Sequence, residues 1–393
     1  FKQKTAYEIM PSLVGSEMCI RDREKPDLIV AETSTPSLNY DLMLLQRLRD
    51  IAPVAICGPE YNIRQKVFLK KNSFIDYVMV GEYEYTLLEL VENLETEREL
   101  SQIKGLIFRK DGEVHYTGLR ELIKDLDQLP WPWRKDLPME CYVDAPGGMP
   151  LPCAQMWTSR GCPYRCIFCL WPHIMYHGNS YRMRDPEKVV DEMEFLIKEM
   201  KFRSIYIDDD TTNVNKKNLI QIANEIKRRK LKFPWAIMAR PDLMDKELLK
   251  VLRSAGLYAV KYGVESAEQK ILDLASKNMN LKYALEMIRY TQKLGIKTHL
   301  TFTFGLPGET RESIQKTINL ALKLNSYSVQ FSINTPFPGT TYYSQLKAKG
   351  WKEPEDWSLF DGHKAAVIES EELSKEYLED VLNRAYKLWF EHK

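Results

Sequence analysis

A chain of 393 residues, 44% hydrophobic and 28% charged, is long enough for two domains and ordinary in make-up for a globular protein. The formal charge of +1 gives no basic footprint for nucleic acid or an anionic membrane, and no apolar run approaches the length of a membrane-spanning helix. No secretory-type signal opens the sequence, and Cys19, Cys57, Cys141 and Cys153 are scattered, a pattern that argues against a disulfide framework and for a reducing, cytoplasmic setting.

The stretch MPSLVGSEMCIRDR, Met10 to Arg23, resembles a translated sequencing-library adapter and has no helical or strand period. Residues 1–23 are therefore expected to be a non-native scar with native chain missing upstream; the alternative is a genuine irregular segment. From Lys25 onward, the apolar runs DLIVAET, PVAICG and IDYVMVG alternate with the helical patterns YDLMLLQRLRDI, PEYNIRQKVFLKKN and EYEYTLLELVENLE. Such alternation predicts a parallel sheet flanked by helices, here an incomplete Rossmann-like (flavodoxin-like) domain over residues 24–98. Residues 99–149 read as a hairpin turning at Asp111-Gly112, followed by proline-rich connectors.

A longer alternation starts at Cys153, with strands predicted at AQMWTS, SIYID, PWAIMA, YAVKYGV, KTHLTFTF and YSVQFSIN, each but the last followed by a helical pattern. The fold class is α/β, a partial (β/α)6 TIM-like barrel over residues 150–345, with a C-terminal extension over 346–393 that holds one more helix near 372–391. Barrel enzymes carry their chemistry in the loops that follow the strands. Those loops hold, in order, a three-cysteine segment, Asp208 to Asp210, Arg240, Glu265 and Ser266 of GVES, FGLPGET and NTPFPGT. A merely structural rim has no need of charge or glycine at every position, so the active site is expected there.

The three-cysteine segment is SRGCPYRCIFCLWPH, with Cys162, Cys166 and Cys169. Thiolates bind soft metals and iron–sulfur clusters. Three of them can hold three corners of a [4Fe–4S] cubane and leave the fourth iron open to substrate, as catalytic zinc sites keep an open position. The residues alone also allow a Cys₃His zinc site using His173 or His177, or a cluster of free thiols.

The pattern C-x3-C-x2-C, with Phe168 before its last cysteine and placed after the first strand of a six-unit barrel, resembles the signature of radical S-adenosylmethionine (SAM) enzymes over about residues 150–370. The resemblance implies that the three thiolates hold [4Fe–4S] and that the amine and carboxylate of SAM chelate the open iron. It further implies that Phe168 packs on adenine, Asp209 and Asp210 approach the methionine ammonium, Arg240 meets the carboxylate, and Glu265 and Ser266 touch SAM. Gly305 and Pro307, with Gly308 and Pro338, would shape the adenosine side. Each residue has a plainer role beside this: Asp208 as a helix cap, Arg240 as a partner of Asp242, Arg182 and Arg184 as surface ion pairs.

The N-terminal part resembles the later units of the cobalamin-binding domain often fused to these barrels, which makes cobalamin a further cofactor. No Asp-x-His-x-x-Gly motif is present, and a sheet that no longer binds cobalamin and only packs on the barrel is the alternative. CLWPHIMYHGNSYRMRDPEKVVDEME resembles the subgroup of hopanoid-associated and magnesium-protoporphyrin-ester-cyclase-like enzymes, which implies a hydrophobic or polycyclic small-molecule substrate. The implied reaction takes an electron from a donor such as flavodoxin or ferredoxin, cleaves SAM reductively to a 5′-deoxyadenosyl radical, and methylates or cyclises an unactivated carbon. No residue is assigned as a catalytic acid, base or nucleophile. Two competing readings are a radical methylthiotransferase, whose extra cluster would have only Cys57 and Cys141 to use, and a zinc-dependent nucleic-acid-binding module, which the balanced charge opposes.

Overall fold

The computed structural model describes residues 26–96, 99–178 and 180–393, so the proposed scar and Cys19 lie outside the described residues. The chain divides into two compact units, the first ending at Leu122 and the second spanning Ile123–Lys393. Among the described residues, no helix is long and apolar enough to cross a membrane.

The first unit is a sheet in the order β1-β2-β3-β4-β5, formed by Ile29–Glu32, Val54–Cys57, Tyr77–Met79, Leu106–Lys110 and Glu113–Tyr116. β1, β2 and β3 run parallel, and β4 and β5 continue the sheet antiparallel. Every residue of β2 is buried, as expected of an inner parallel strand covered on both faces, whereas β1 at the edge alternates between half-buried and exposed positions. The hairpin at Asp111-Gly112 is thus part of this sheet rather than a free connector: β4 pairs with β3 through Val78 and Ile107.

In the second unit six parallel strands lie in the order β13-β12-β11-β10-β9-β6, the curled half-barrel expected from the alternation. They are β6 (Cys153–Met156), β9 (Ser204–Ile207), β10 (Trp235–Ala239), β11 (Leu257–Glu265), β12 (Lys297–Phe304) and β13 (Ser328–Ile333). β7 (Ser159–Arg160) and β8 (Arg182–Met183) form a small antiparallel pair on either side of the cysteine loop. Several helices between strands begin where polar side chains cap them. Asp185, for example, accepts from Glu187 N and Lys188 N at the start of Pro186–Lys198, with Pro186 in the first turn. That helix buries Val189, Val190, Met193 and Leu196, one stripe of a 3.6-residue repeat, against the outer face of the sheet.

An open half-barrel leaves two strand edges unpaired, a hazard that has to be covered. At β13 the helix Lys375–His392 does this: the Tyr386 hydroxyl donates to Phe331 O and accepts from Phe331 N, each at 3.0 Å. On the concave face, at the amino ends of the strands, Met149 packs with Cys153, Tyr206, Ala236 and Ala259. Gly147 reaches Ala259 so closely that an added Cβ would lie 2.6 Å from the alanine Cβ, and its φ of +66° suits glycine. The preceding connector therefore plugs the floor of the half-barrel and leaves its upper part hollow.

Candidate active site

Above that floor lies a cavity of about 530 Å³ at the carboxyl ends of the strands. Cys162, Cys166 and Cys169 all line it, together with Phe168, Asp210, Arg240 and Glu265. Three of the five charged strand-end residues, Asp210, Arg240 and Glu265, therefore converge with the cysteine loop, although they are up to about 100 residues apart in the chain.

The loop is held from three sides. Gly161 has φ +88°, and a Cβ there would meet Ser180 O at 2.2 Å, so only glycine fits where the chain turns into the first cysteine. Its N–H donates to Asp210 Oδ2 at 2.9 Å. Ile167 N donates to Ala275 O at 3.1 Å and Ile167 O accepts from Tyr342 N at 3.0 Å, while Cys169 N closes a turn onto Cys166 O. The Cys162 Sγ lies 3.5 Å from Thr211 Oγ1. All three cysteines are free thiols.

Asp209 and Asp210, neighbours in sequence, face different ways. Asp209 is buried, and its carboxylate accepts from Thr158 N and Oγ1 and from Ser159 N and Oγ, at 2.6 to 3.1 Å. It is absent from the cavity wall and braces the end of β9 against the strand that leads into the cysteines. Asp210 lines the cavity, and burial pushes its carboxyl up to about 6 against the Gly161 N–H bond.

Arg240 is buried and makes a bidentate pair with Asp242 at 3.0 and 3.1 Å, donates to Lys277 O at 2.8 Å, and stacks 3.8 Å from the Tyr164 ring centroid. The plainer role foreseen for it, pairing with Asp242, is real, and the side chain also reaches the cavity. Glu265 sits at φ +67°, unusual for a non-glycine residue and typical of strained functional positions. Its Oε1 pairs with Lys277 Nζ at 2.7 Å and its Oε2 accepts from Thr303 Oγ1 at 2.9 Å.

Ser266, Gly305 and Pro307 do not line the cavity. Ser266 is fully buried beside Thr317 Oγ1 and accepts from Glu268 N. Gly305 N donates to Glu309 Oε2 at 2.7 Å, and Leu306 N to the same oxygen at 3.1 Å, so the FGLPGET turn is organised around the buried Glu309. Arg184, for which the sequence left a surface ion pair and a site role equally open, takes neither: it is buried, does not line the cavity, and pairs with Glu192 at 2.6 Å, which also takes Arg134 at 3.1 Å.

Sequence reasoning missed Lys277, Lys261, Thr301, Thr303 and Gln330, all of which line the cavity. The strand KTHLTFTF carried a usable signal. A parallel strand covered on both faces reads as continuously apolar, so polar residues at every second position mark a hollow inner face. Lys277 had no such signal; it lies in an irregular loop between two helices.

The donor set fits an iron–sulfur cluster. Burial raises the thiols of Cys166 and Cys169 above their usual range, and Lys277 and Arg240 pull Cys166 back down. Buried thiolates of this kind require a cationic partner, which cluster iron supplies. Among the described residues no three His, Cys, Asp or Glu side chains converge on a single-ion site; thiolates on separate corners of a cubane have no need to.

Comparison with known proteins agrees. The Radical SAM superfamily matches residues 157–321. An uncharacterized methyltransferase of Pyrococcus horikoshii is 31% identical over 92% of this chain and 78% of its own length. The anaerobic magnesium-protoporphyrin IX monomethyl ester cyclase of Cereibacter sphaeroides is 31% identical over 82% of this chain, which spans only 53% of that protein. In fold the chain resembles the radical SAM methyltransferase TsrM from Kitasatospora setae, solved with cobalamin and a [4Fe–4S] cluster, at a TM-score of 0.73 and 19% identity over 87% of this chain and 71% of that one. The half-barrel with its three-thiol loop, and a relative matched along most of both chains, thus establish that this chain belongs to the radical SAM superfamily, enzymes that use a [4Fe–4S] cluster and S-adenosylmethionine.

Proposed function

We propose that this protein is a cobalamin-dependent radical SAM enzyme that methylates or cyclises a small molecule at an unactivated carbon. The observation that carries the reading is the convergence of Cys162, Cys166 and Cys169 with Asp210, Arg240 and Glu265 on one cavity. In this reading the three thiolates hold the cluster and Phe168 offers an aromatic face to the adenine. Asp210 receives the methionine ammonium, and Glu265, fixed by Lys277 and Thr303, presents its carboxylate to the nucleoside. Asp209, Ser266, Gly305 and Pro307 act from behind, by shaping the loops. When bound, the cluster and SAM would supply radical chemistry able to activate an unreactive C–H bond; the protein orients the substrate and excludes water.

Cobalamin is supported by the relatives and by the parallel strands of the first unit. At the carboxyl edge of those strands Thr33 Oγ1 donates to the Tyr61 hydroxyl at 2.8 Å and Thr35 Oγ1 donates to Glu60 Oε1 at 2.7 Å. The histidine of this unit, His115, is on β5. An electron donor such as flavodoxin or ferredoxin and a cytoplasmic location complete the proposal, since the free thiols need a reducing setting.

The test is anaerobic reconstitution with iron, sulfide and hydroxocobalamin, followed by mass spectrometry for 5′-deoxyadenosine and methylated or cyclised products. About four irons and four sulfides per chain are expected. Cys166→Ala should lose the cluster and the 5′-deoxyadenosine together. A wild-type protein holding one zinc and no sulfide would refute the reading.

A further inference from the structure

The cavity continues below the cysteine loop, down the concave face of β11, β12 and β13. Strand register fixes its layers. Glu265 and Thr303 are near the top; Gly263 pairs with Thr301, and Thr301 with Gln330, one layer down. Met238, Lys261 and His299 share the layer beneath, with Ser328 next to His299. At about 3.3 Å per residue, Lys261 is roughly 10–13 Å below Glu265 along its strand. The upper wall adds apolar surface from Phe168, Trp171 and Phe337, and the lower wall combines Met238 with the polar Lys261, Thr301 and Gln330.

Lys261 is half-buried and lines this cavity, yet among the described residues it has no ion pair and no hydrogen bond. Every other lysine or arginine on the cavity wall is engaged: Lys277 by Glu265, Arg240 by Asp242. In the same region the buried Tyr206 hydroxyl has Asp208 as its polar neighbour, and His299 has Gln330 and Ser328. Lys261 is close enough to bias its neighbours. Burial pushes His299 down to about 4, and the Lys261 charge adds to that; the same charge draws Asp208 down against the effect of burial. Asp208 nevertheless stays outside ion-pair distance. A half-buried ammonium with no carboxylate within ion-pair distance has its donors to offer an arriving anion.

We propose that Lys261 is the specificity residue of the substrate pocket and receives an oxyanion, carboxylate or phosphoryl, at the far end of a substrate whose apolar body lies between it and the cofactor site. This rests on the proposed function and narrows it: the substrate is amphipathic, with an anionic end, rather than a wholly apolar lipid. The apolar upper wall accommodates the body, Thr301 and Gln330 flank its lower part, and Lys261 fixes how deep it enters. Depth decides which carbon faces the radical.

The test uses phenylbutyrate, its neutral isostere phenylbutyramide, and inorganic phosphate, titrated calorimetrically into the full chain under anaerobic conditions. The wild type should bind the carboxylate at least about tenfold more tightly than the amide, the range of a charge-assisted bond in a sheltered site. Lys261→Met should bind both alike, and Lys261→Arg should keep the preference. Phosphate competing with phenylbutyrate would identify the phosphoryl source. A wild type that shows no preference or binds neither, or a Lys261→Met that retains the preference, overturns the proposal. Iron and sulfide content are read on the same samples. A chain that takes up no cluster yet prefers the carboxylate refutes the cofactor reading alone; a loaded chain without the preference refutes this inference alone.

Discussion

Lys277 Nζ lies 2.7 Å from Glu265 Oε1, and both side chains are about nine-tenths buried. The lysine comes from an irregular loop and the glutamate from the end of β11, so the pair ties the loop behind Cys166 to the sheet. Removing the lysine alone leaves a buried carboxylate without its charge, a loss on the order of 3–5 kcal/mol. Lys277→Met should therefore lower the urea midpoint strongly, and Lys277→Met combined with Glu265→Gln should restore part of it. A double-mutant cycle with coupling below about 0.5 kcal/mol would contradict the assignment.

Asp209 shows how a residue can govern the site without facing it. Asp209→Asn keeps the shape but replaces a carboxylate accepting four bonds by an amide with one acceptor. A loss of about 2–3 kcal/mol is expected by thermal or urea unfolding. Iron uptake should fall with it, because Ser159 begins the approach to Cys162. Asp210→Asn, by comparison, should leave unfolding nearly unchanged while weakening SAM binding, measured by equilibrium dialysis.

Glu309 sets a pH dependence. Burial pushes its carboxyl up to about 8 from an ordinary 4.5, with the Gly305 and Leu306 amides pulling the other way. Between those values the folded chain keeps a proton that the unfolded chain releases, so stability falls as pH rises through this window, by up to about 1.4 kcal/mol per unit. Glu309→Gln retains an oxygen for the two amides and removes the titration. Urea midpoints across pH 5 to 8 should fall less steeply for the variant, by the slope attributable to one proton; parallel profiles for the two proteins would contradict this account.

At the sheet edge, Tyr386→Phe removes the hydroxyl that serves both Phe331 N and Phe331 O. The expected cost is about 1–2 kcal/mol. Amide exchange at Phe331 should accelerate while the exchange of β11 amides stays unchanged, since the inner strand keeps its ladder.

Local patterns in the sequence were enough for the strand and helix alternation, the cysteine loop and the strand-end positions of Asp210, Arg240 and Glu265. Each depends on periodicity or spacing, which neighbours in the chain express directly. The hairpin Leu106–Tyr116 was legible too, but not that β4 would join β3, because pairing partners are chosen by long-range packing.

Tertiary structure decided what those patterns cannot carry. Asp209 and Asp210 are adjacent and chemically identical, and only the direction of the chain leaving β9 makes one a brace and the other a cavity residue. Glu265 was identifiable by position, whereas its partner Lys277, 12 residues away in an irregular loop, was not. Lys261 looked like any polar residue in a strand until the curl of the sheet set it on the inner face without a counter-charge. Burial and pairing are properties of the closed surface, and the surface exists only once distant segments have packed.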